Sequence, residues 1–379
     1  MASPAIIRWA RETFGLEMSE AARRLSVSVN TLEKFEAGEK SPSQKQLIKM
    51  SSVYRRPLIT FYLSEPPETA SLGGDFRKTS NPNKTAEGRL QALIRQINIA
   101  HQMLKSGISE VDELTENPLV GSLNHKPEIN EAVSFIKETL NTDSKEFYNQ
   151  ASTDKAFSLL REKCEENSVY VTLQGDLGSH HSKLNTDVFR GYALADNFLP
   201  LIVINSYDVR TAWSFTLIHE LMHILIGETG VSSYSLESEL EKYCDSIAGA
   251  FLLPESVLEE IIEISKNSSD LHYDISTFAN QRNLGRGMVL YNLLRSKVIT
   301  NTQYTDLQNA FDKERVRAAE KIRVTPGGPD YYVVRRSRVG SGMLGTVKRL
   351  VSEGALTTTK AGMVLGVKPT SVTKLLEAS

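Results

Sequence analysis

The apolar positions of the chain fall into helical spacing at both ends, with a short β-rich patch between. Residues 5–14, 18–26 and 29–37 repeat apolar residues at helical intervals, with Ala21, Ala22 and Leu25 inward on the second and Leu32 and Phe35 inward on the third. Gly38 stops that third helix, and Ser41-Pro42 opens a fourth at 43–54. Residues 64–84 break the pattern with Pro66-Pro67, Gly73-Gly74 and Asn81-Pro82-Asn83, which predicts a linker or extended arm. Helical periodicity returns over 86–106 and 129–164 as a platform. Three runs at 169–173, 188–194 and 199–205 then read as strands of a small three-stranded sheet, whose edge suits pairing with an extended peptide. The run 215–227 is apolar on nearly every side, which predicts a buried helix, with Asp208 as its N-cap. Residues 236–254 form a further helix striped by Leu240, Tyr243, Cys244, Ile247 and Phe251 and closed by Pro254. Residues 255–300 are also helical, with a helix start following Asn283.

Two short helices around a tight turn, 18–26 and 29–37, make a helix-turn-helix pattern. With its Phe35-Glu-x-Gly-x-x-x-Pro42 ending, the segment resembles the phage-repressor (Xre) class of DNA-binding domains. That resemblance implies a second helix lying in the major groove of double-stranded DNA. Ser28, Asn30, Thr31 and Lys34 are its candidate DNA contacts, while Glu33 departs from the usual choice and repels phosphate. A protein-interaction module on the same fold is the rival reading. The pattern recurs near the other end. Residues 359–375 align without gaps on 19–35, with Ala21/Ala361, Leu25/Leu365, Val27/Val367 and Lys34/Lys374 identical. We therefore expect a second helix-turn-helix over 357–377, with Lys368 and Lys374 as its DNA contacts; a helical clasp on the central domain is the alternative.

Charge sharpens this division. Residues 1–62 carry ten Lys/Arg and six Glu, and residues 313–379 carry thirteen Lys/Arg and five Asp/Glu. Those ends are +4 and +8, which leaves −14 for residues 63–312 against a total of −2. Basic ends around an acidic centre point to nucleic acid at the ends and another task in the middle. Two cysteines give no disulfide framework, the start lacks a signal-peptide pattern, and no apolar run is long enough to span a bilayer. A cytoplasmic protein, nucleoid-associated when bound to DNA and without a membrane partner, is the expectation.

The central task is written in the buried helix. His219 and His223 lie four apart, on one helix face, with Glu220 beside them. Two imidazoles and a carboxylate are costly to bury without a partner. The H-E-x-x-H arrangement supplies one: two nitrogens for a zinc ion and a carboxylate able to act on water. A third protein ligand is then needed. Glu241 is favoured, because it pairs at i+4 with Asp245 beside the apolar stripe; Glu237 and Glu239 are rivals, and a capping box with Ser238 is its competing role. Asp245 would orient a ligating imidazole. The loop Gly178-Ser-His-His-Ser182 is not read as a metal site. Tyr207, Tyr234, Tyr291 and Arg286 are candidates for stabilising an oxyanion.

Together, the Xre-like start, Phe215-Thr-Leu-Ile-His-Glu-Leu-Met-His223 and Glu241-x-x-Cys-Asp-x-x-Ala-x-x-x-Leu-Leu-Pro254 resemble the ImmA/IrrE metallopeptidases fused to a helix-turn-helix, over about residues 5–300. The departures are Tyr243 where a second acidic residue is usual, Cys244-Asp245 where Ala-Asn/Asp is usual, and Thr211-Ala-Trp-Ser214 in place of an Arg-rich turn. The resemblance implies one zinc ion per chain on His219, His223 and Glu241, with Glu220 as general base. It also implies cleavage of a partner protein, a cognate repressor or operon partner, in stress response or mobile-element control. A regulator or antitoxin whose zincin domain senses or binds a partner without cutting it is the alternative. Paired half-sites would favour a homodimer. The expected fold class is α+β and mostly α. It comprises a helix-turn-helix domain at 1–63, a linker and helical platform at 64–164, a zincin-like (gluzincin) metallopeptidase domain at 165–300, and a basic helical C-terminal domain at 301–379.

Overall fold

A computed structural model describes residues 2–67, 84–179, 182–232, 238–323 and 330–377. The chain is mostly helical around one small mixed sheet. It begins with α1 (Pro4–Thr13), α2 (Met18–Leu25), α3 (Val29–Ala37) and α4 (Gln44–Tyr54), followed by a 3-10 turn at Leu58–Tyr62. The breaks follow local chemistry. Ser28 caps α3 by accepting from the Thr31 N–H, and Ser43 with Gln46 forms a capping box on α4. A bidentate ion pair joins the buried Arg11 of α1 to the buried Glu36 of α3, at 2.7 and 3.0 Å.

Of the expected linker, residues 68–83 lie outside the described residues. Next come α5 (Lys84–Ser109), α6 (Ile129–Leu140), α7 (Ser144–Tyr148) and α8 (Thr153–Glu166). The helical platform expected over 86–106 and 129–164 is thus four helices. Asn141 ends α6 in a left-handed conformation, and the Asp143 and Ser152 side chains cap the next two.

The sheet holds β1 (Tyr170–Gln174), β2 (Gly191–Leu194), β3 (Leu201–Asn205) and, beyond α9 (Arg210–Ile226), β4 (Gly230–Ser232). Its order is β1-β3-β2-β4, with β1 and β3 parallel and the other pairs antiparallel. The expected three-stranded sheet therefore gains a fourth strand. Three residues are too few to carry a recognisable alternation, so β4 had no signal of its own. Asp208 is likewise not the N-cap of α9. That position is Val209, without a side-chain cap, while Asp208 accepts from the Val209 N–H at 2.7 Å and faces Arg190 at 3.8 Å.

After β4 come α10 (Glu239–Leu252), α11 (Glu255–Lys266), α12 (Leu271–Gln281), α13 (Arg286–Arg295), α14 (Asn301–Arg323), α15 (Tyr331–Val339), α16 (Ser341–Ser352) and α17 (Thr358–Leu365). A 3-10 turn at Pro369–Ser371 leads into α18 (Val372–Glu377).

The sheet separates two cores. Val171, Leu173, Ala193, Ile202 and Ile204 face a core shared with α6–α14, whereas Tyr192, Leu201 and Val203 face one shared with α1–α5 and residues 339–376. Alternate side chains of a strand point to opposite faces, so a strand covered on both sides reads as a continuous apolar run, as residues 201–204 of β3 do. α14 packs into the central core through Phe311, while residues 331–377 close over α5 and the sheet. Buried Arg161 of α8 fastens that closure by donating to the carbonyls of Val171, Ser337 and Arg338.

Candidate metal centre

α9 is buried from Thr216 to Ile226, so its polar groups must find partners inside the protein. One helical turn brings His219 and His223 to the same face, with their Nε2 atoms 3.2 Å apart. The first turn of α10 crosses this face. Glu241 sets one carboxylate oxygen 3.2 Å from His219 Nε2 and the other 3.3 Å from His223 Nε2. The three side chains offer ligand atoms within 4.8 Å of one another. Ser238 caps α10 by accepting from the Glu241 backbone N–H, which leaves the Glu241 carboxylate free for the imidazoles. Of the rival acids, Glu239 is 93% exposed at its side chain and paired with Lys242, while Glu237 lies outside the described residues.

One turn along α10, Asp245 Oδ1 stands 2.9 Å from His219 Nδ1. A proton on Nδ1 donated to that carboxylate leaves the Nε2 lone pair pointing into the cluster. Ser232 Oγ of β4 lies 3.1 Å from the same Nε2. Glu220 is fully buried beside the histidines, with the Ser232 hydroxyl the side-chain donor set against its carboxylate. Space for it is left by Gly191 of β2, where any Cβ would collide with the Glu220 carboxylate.

The electrostatics follow from this crowding. Burial raises the Glu220 pKa. Burial would also raise Glu241, but its hydrogen bonds to the two imidazoles override that and hold it at about 2. Burial would lower His219, yet Asp245 and Glu241 push it up to about 10. Three carboxyl groups thus surround two imidazoles. His219, His223 and Glu241 could together hold a metal ion, and nitrogen and oxygen donors of this kind suit zinc among others. Replacing Asp245 by Asn is expected to weaken cation binding about 10–100-fold through loss of the His219 orientation. Competition titration against a chelating dye measures it, and an unaltered affinity would remove Asp245 from the site.

The remaining predicted residues are placed as follows. The Tyr207 hydroxyl donates to Asp176, Arg286 pairs with Glu314, and Tyr291 is 56% exposed, so none of the three meets the cluster; Tyr234 and the histidine pair at 180–181 lie outside the described residues. In the N-terminal unit, Ser28 and Thr31 engage one another at 2.8 Å, while Asn30, Glu33 and Lys34 are exposed. In the C-terminal unit, Lys368 is exposed and the Lys374 ammonium lies 4.5 Å above the Tyr332 ring. Sequence reasoning missed Gly191 and Ser232. A glycine inside a strand marks close approach by something, which was a usable signal for Gly191; Ser232 had none. A cavity of about 630 Å³ lined by α8, α15 and α16 includes none of the cluster. Converging donors, not volume, mark the site.

Two family models match the chain. Residues 7–61 match one described as helix-turn-helix, which covers α1 to α4 and the 3-10 turn. Residues 170–294 match the peptidase M78 model, described as an IrrE N-terminal-like domain; this runs from β1 into the last turn of α13 and contains the whole cluster. No curated protein matches the chain.

Proposed function

We propose, from the premise that this chain is a helix-turn-helix domain fused to an IrrE N-terminal-like domain, that it is a DNA-binding zinc metalloendopeptidase that cuts a partner protein, a repressor controlled with it. One observation carries the reading: His219, His223 and Glu241 converge, with the fully buried carboxylate of Glu220 beside them. Zinc, when bound, supplies Lewis acidity toward a peptide carbonyl and toward water. Glu220 takes the proton from the attacking water and delivers it to the leaving amine. Its desolvated carboxylate is a stronger base than one in water, which suits that role. Asp245 fixes the His219 tautomer. Among the described residues β4 has a sheet neighbour on one side only, and it carries Ser232 beside His219, so an extended peptide added to its outer edge runs past the cluster.

DNA binding is assigned to the exposed face of α3, through Asn30, Thr31 and Lys34 with Ser28 at its start, in the cytoplasm and as a homodimer on paired half-sites. The test is incubation of the zinc-loaded protein with the product of the adjacent gene, followed by mass mapping. A single defined cut, lost on chelation and restored by zinc, is expected. A partner that stays intact, or a cut indifferent to chelator, refutes the proposal.

A further inference from the structure

We infer that residues 357–377 are a second DNA-reading helix-turn-helix and, by charge, the stronger of the two. The recurrence at an offset of 340 extends from sequence into conformation. Aligning Ala21–Ala37 with residues 361–377 gives the same degree of burial at sixteen of seventeen positions, the one difference being Arg24 against Val364. Leu25, Leu32 and Phe35 are buried, and so are Leu365, Val372 and Leu375. The turn is the same turn. Ser26 has φ 57° and ψ 45°, and Gly366 has φ 60° and ψ 39°. The Val27 N–H donates to the Ala22 carbonyl at 3.0 Å, and the Val367 N–H donates to Gly362 at 2.9 Å. A basic residue steadies each turn: Lys49 donates to the Ser26 hydroxyl at 2.8 Å, and Arg335 to the Leu365 carbonyl at 2.6 Å.

A helical clasp needs only the buried face. The outward face differs in the direction that DNA requires. Lys368 stands where the first unit has Ser28, and Thr373 stands where it has Glu33. Residues 28–34 therefore sum to zero charge, whereas 368–374 carry Lys368 and Lys374 without an acid. All four of Lys368, Thr370, Thr373 and Lys374 are exposed. Residues 331–377 carry eight Lys/Arg against two Glu. Both units rest on α5. Phe14 and Gly15 abut Gly88 and the start of that helix, while Leu350 and Leu356 cover Gly107, about 28 Å further along it at 1.5 Å per residue. One continuous helix thus carries both units.

The test is fluorescence anisotropy of the full chain on a random-sequence duplex about three helical turns long, across a salt series. Substituting both Lys368 and Lys374 by Ala is expected to weaken binding about ten-fold and to lower the slope of log affinity against log salt by about 2, with the melting temperature unchanged. Lys368→Ala alone is expected to lower the slope by about 1, and Lys374→Arg, which keeps the charge over Tyr332, to bind as the parent does. Unchanged affinity and slope in the double variant would overturn the inference. Repeating it with Asn30 and Lys34 replaced by Ala separates the two units. If only the N-terminal pair matters, this inference fails; if only the C-terminal pair matters, the N-terminal assignment fails and this one stands.

Discussion

Glu220→Gln is expected to lower cleavage of the partner about 10²–10⁴-fold while leaving cation content unchanged. The separation of the two effects comes from geometry. The converging atoms belong to His219, His223 and Glu241, and the Glu220 carboxylate is not among them. Gln has the same shape, so it fits the space left by Gly191, but it cannot accept a proton. Folding should not suffer. An ionised carboxylate is costly in a fully buried position, and Gln removes that charge. The sign of the pH effect follows from linkage. Because burial raises the Glu220 pKa, the native state keeps its proton at pH values where the unfolded chain has lost it. This group therefore makes the cation-free parent less stable as pH rises above the ordinary carboxylate range, and the Gln variant loses that contribution. Fragment mapping and elemental analysis of both proteins decide the matter. Residual cutting at the parental rate would show that Glu220 is not the base.

Gly191→Ala is expected to damage the site nearly as severely without touching a donor. The new methyl group enters the Glu220 carboxylate. β2 cannot step back, because Gly191 is paired with Ile204 on one side and with Ser232 on the other. The strain must therefore move Glu220, or displace Ser232 and with it the contact to His219. Overpacking of this kind costs about 1–3 kcal/mol, visible as a lower melting temperature, and the misplaced base should take most of the activity with it. Gly230→Ala is the control. It sits two residues from Ser232, and a Cβ there meets nothing within 4 Å. If Gly191→Ala kept both parental stability and parental cleavage, the packing of Glu220 against β2 would be wrong.

These two residues mark the boundary of what the amino-acid order reveals. His219 and His223 share a face because four residues span about one helical turn, a property of the backbone that holds wherever the helix packs. The turn at Ser26 and its copy at Gly366 are local in the same sense, so the repeat was legible before any coordinates. The burial of α9 was legible too, since a helix apolar all round has no face to give to water.

Tertiary structure decided the rest. The i+4 pairing with Asp245 favoured Glu241, but its approach to the imidazoles depends on how α10 is rotated against α9. The parallel pairing of β1 with β3, the addition of β4 and the closure of residues 331–377 over α5 all join segments far apart in the chain. Gly191 matters because Glu220, twenty-nine residues later, returns to lie against it. Helical spacing is set by bonds between neighbours along the backbone, whereas close approach is set by what the folded chain brings from elsewhere. The former can be read from residue order alone, and the latter only once the chain has closed on itself.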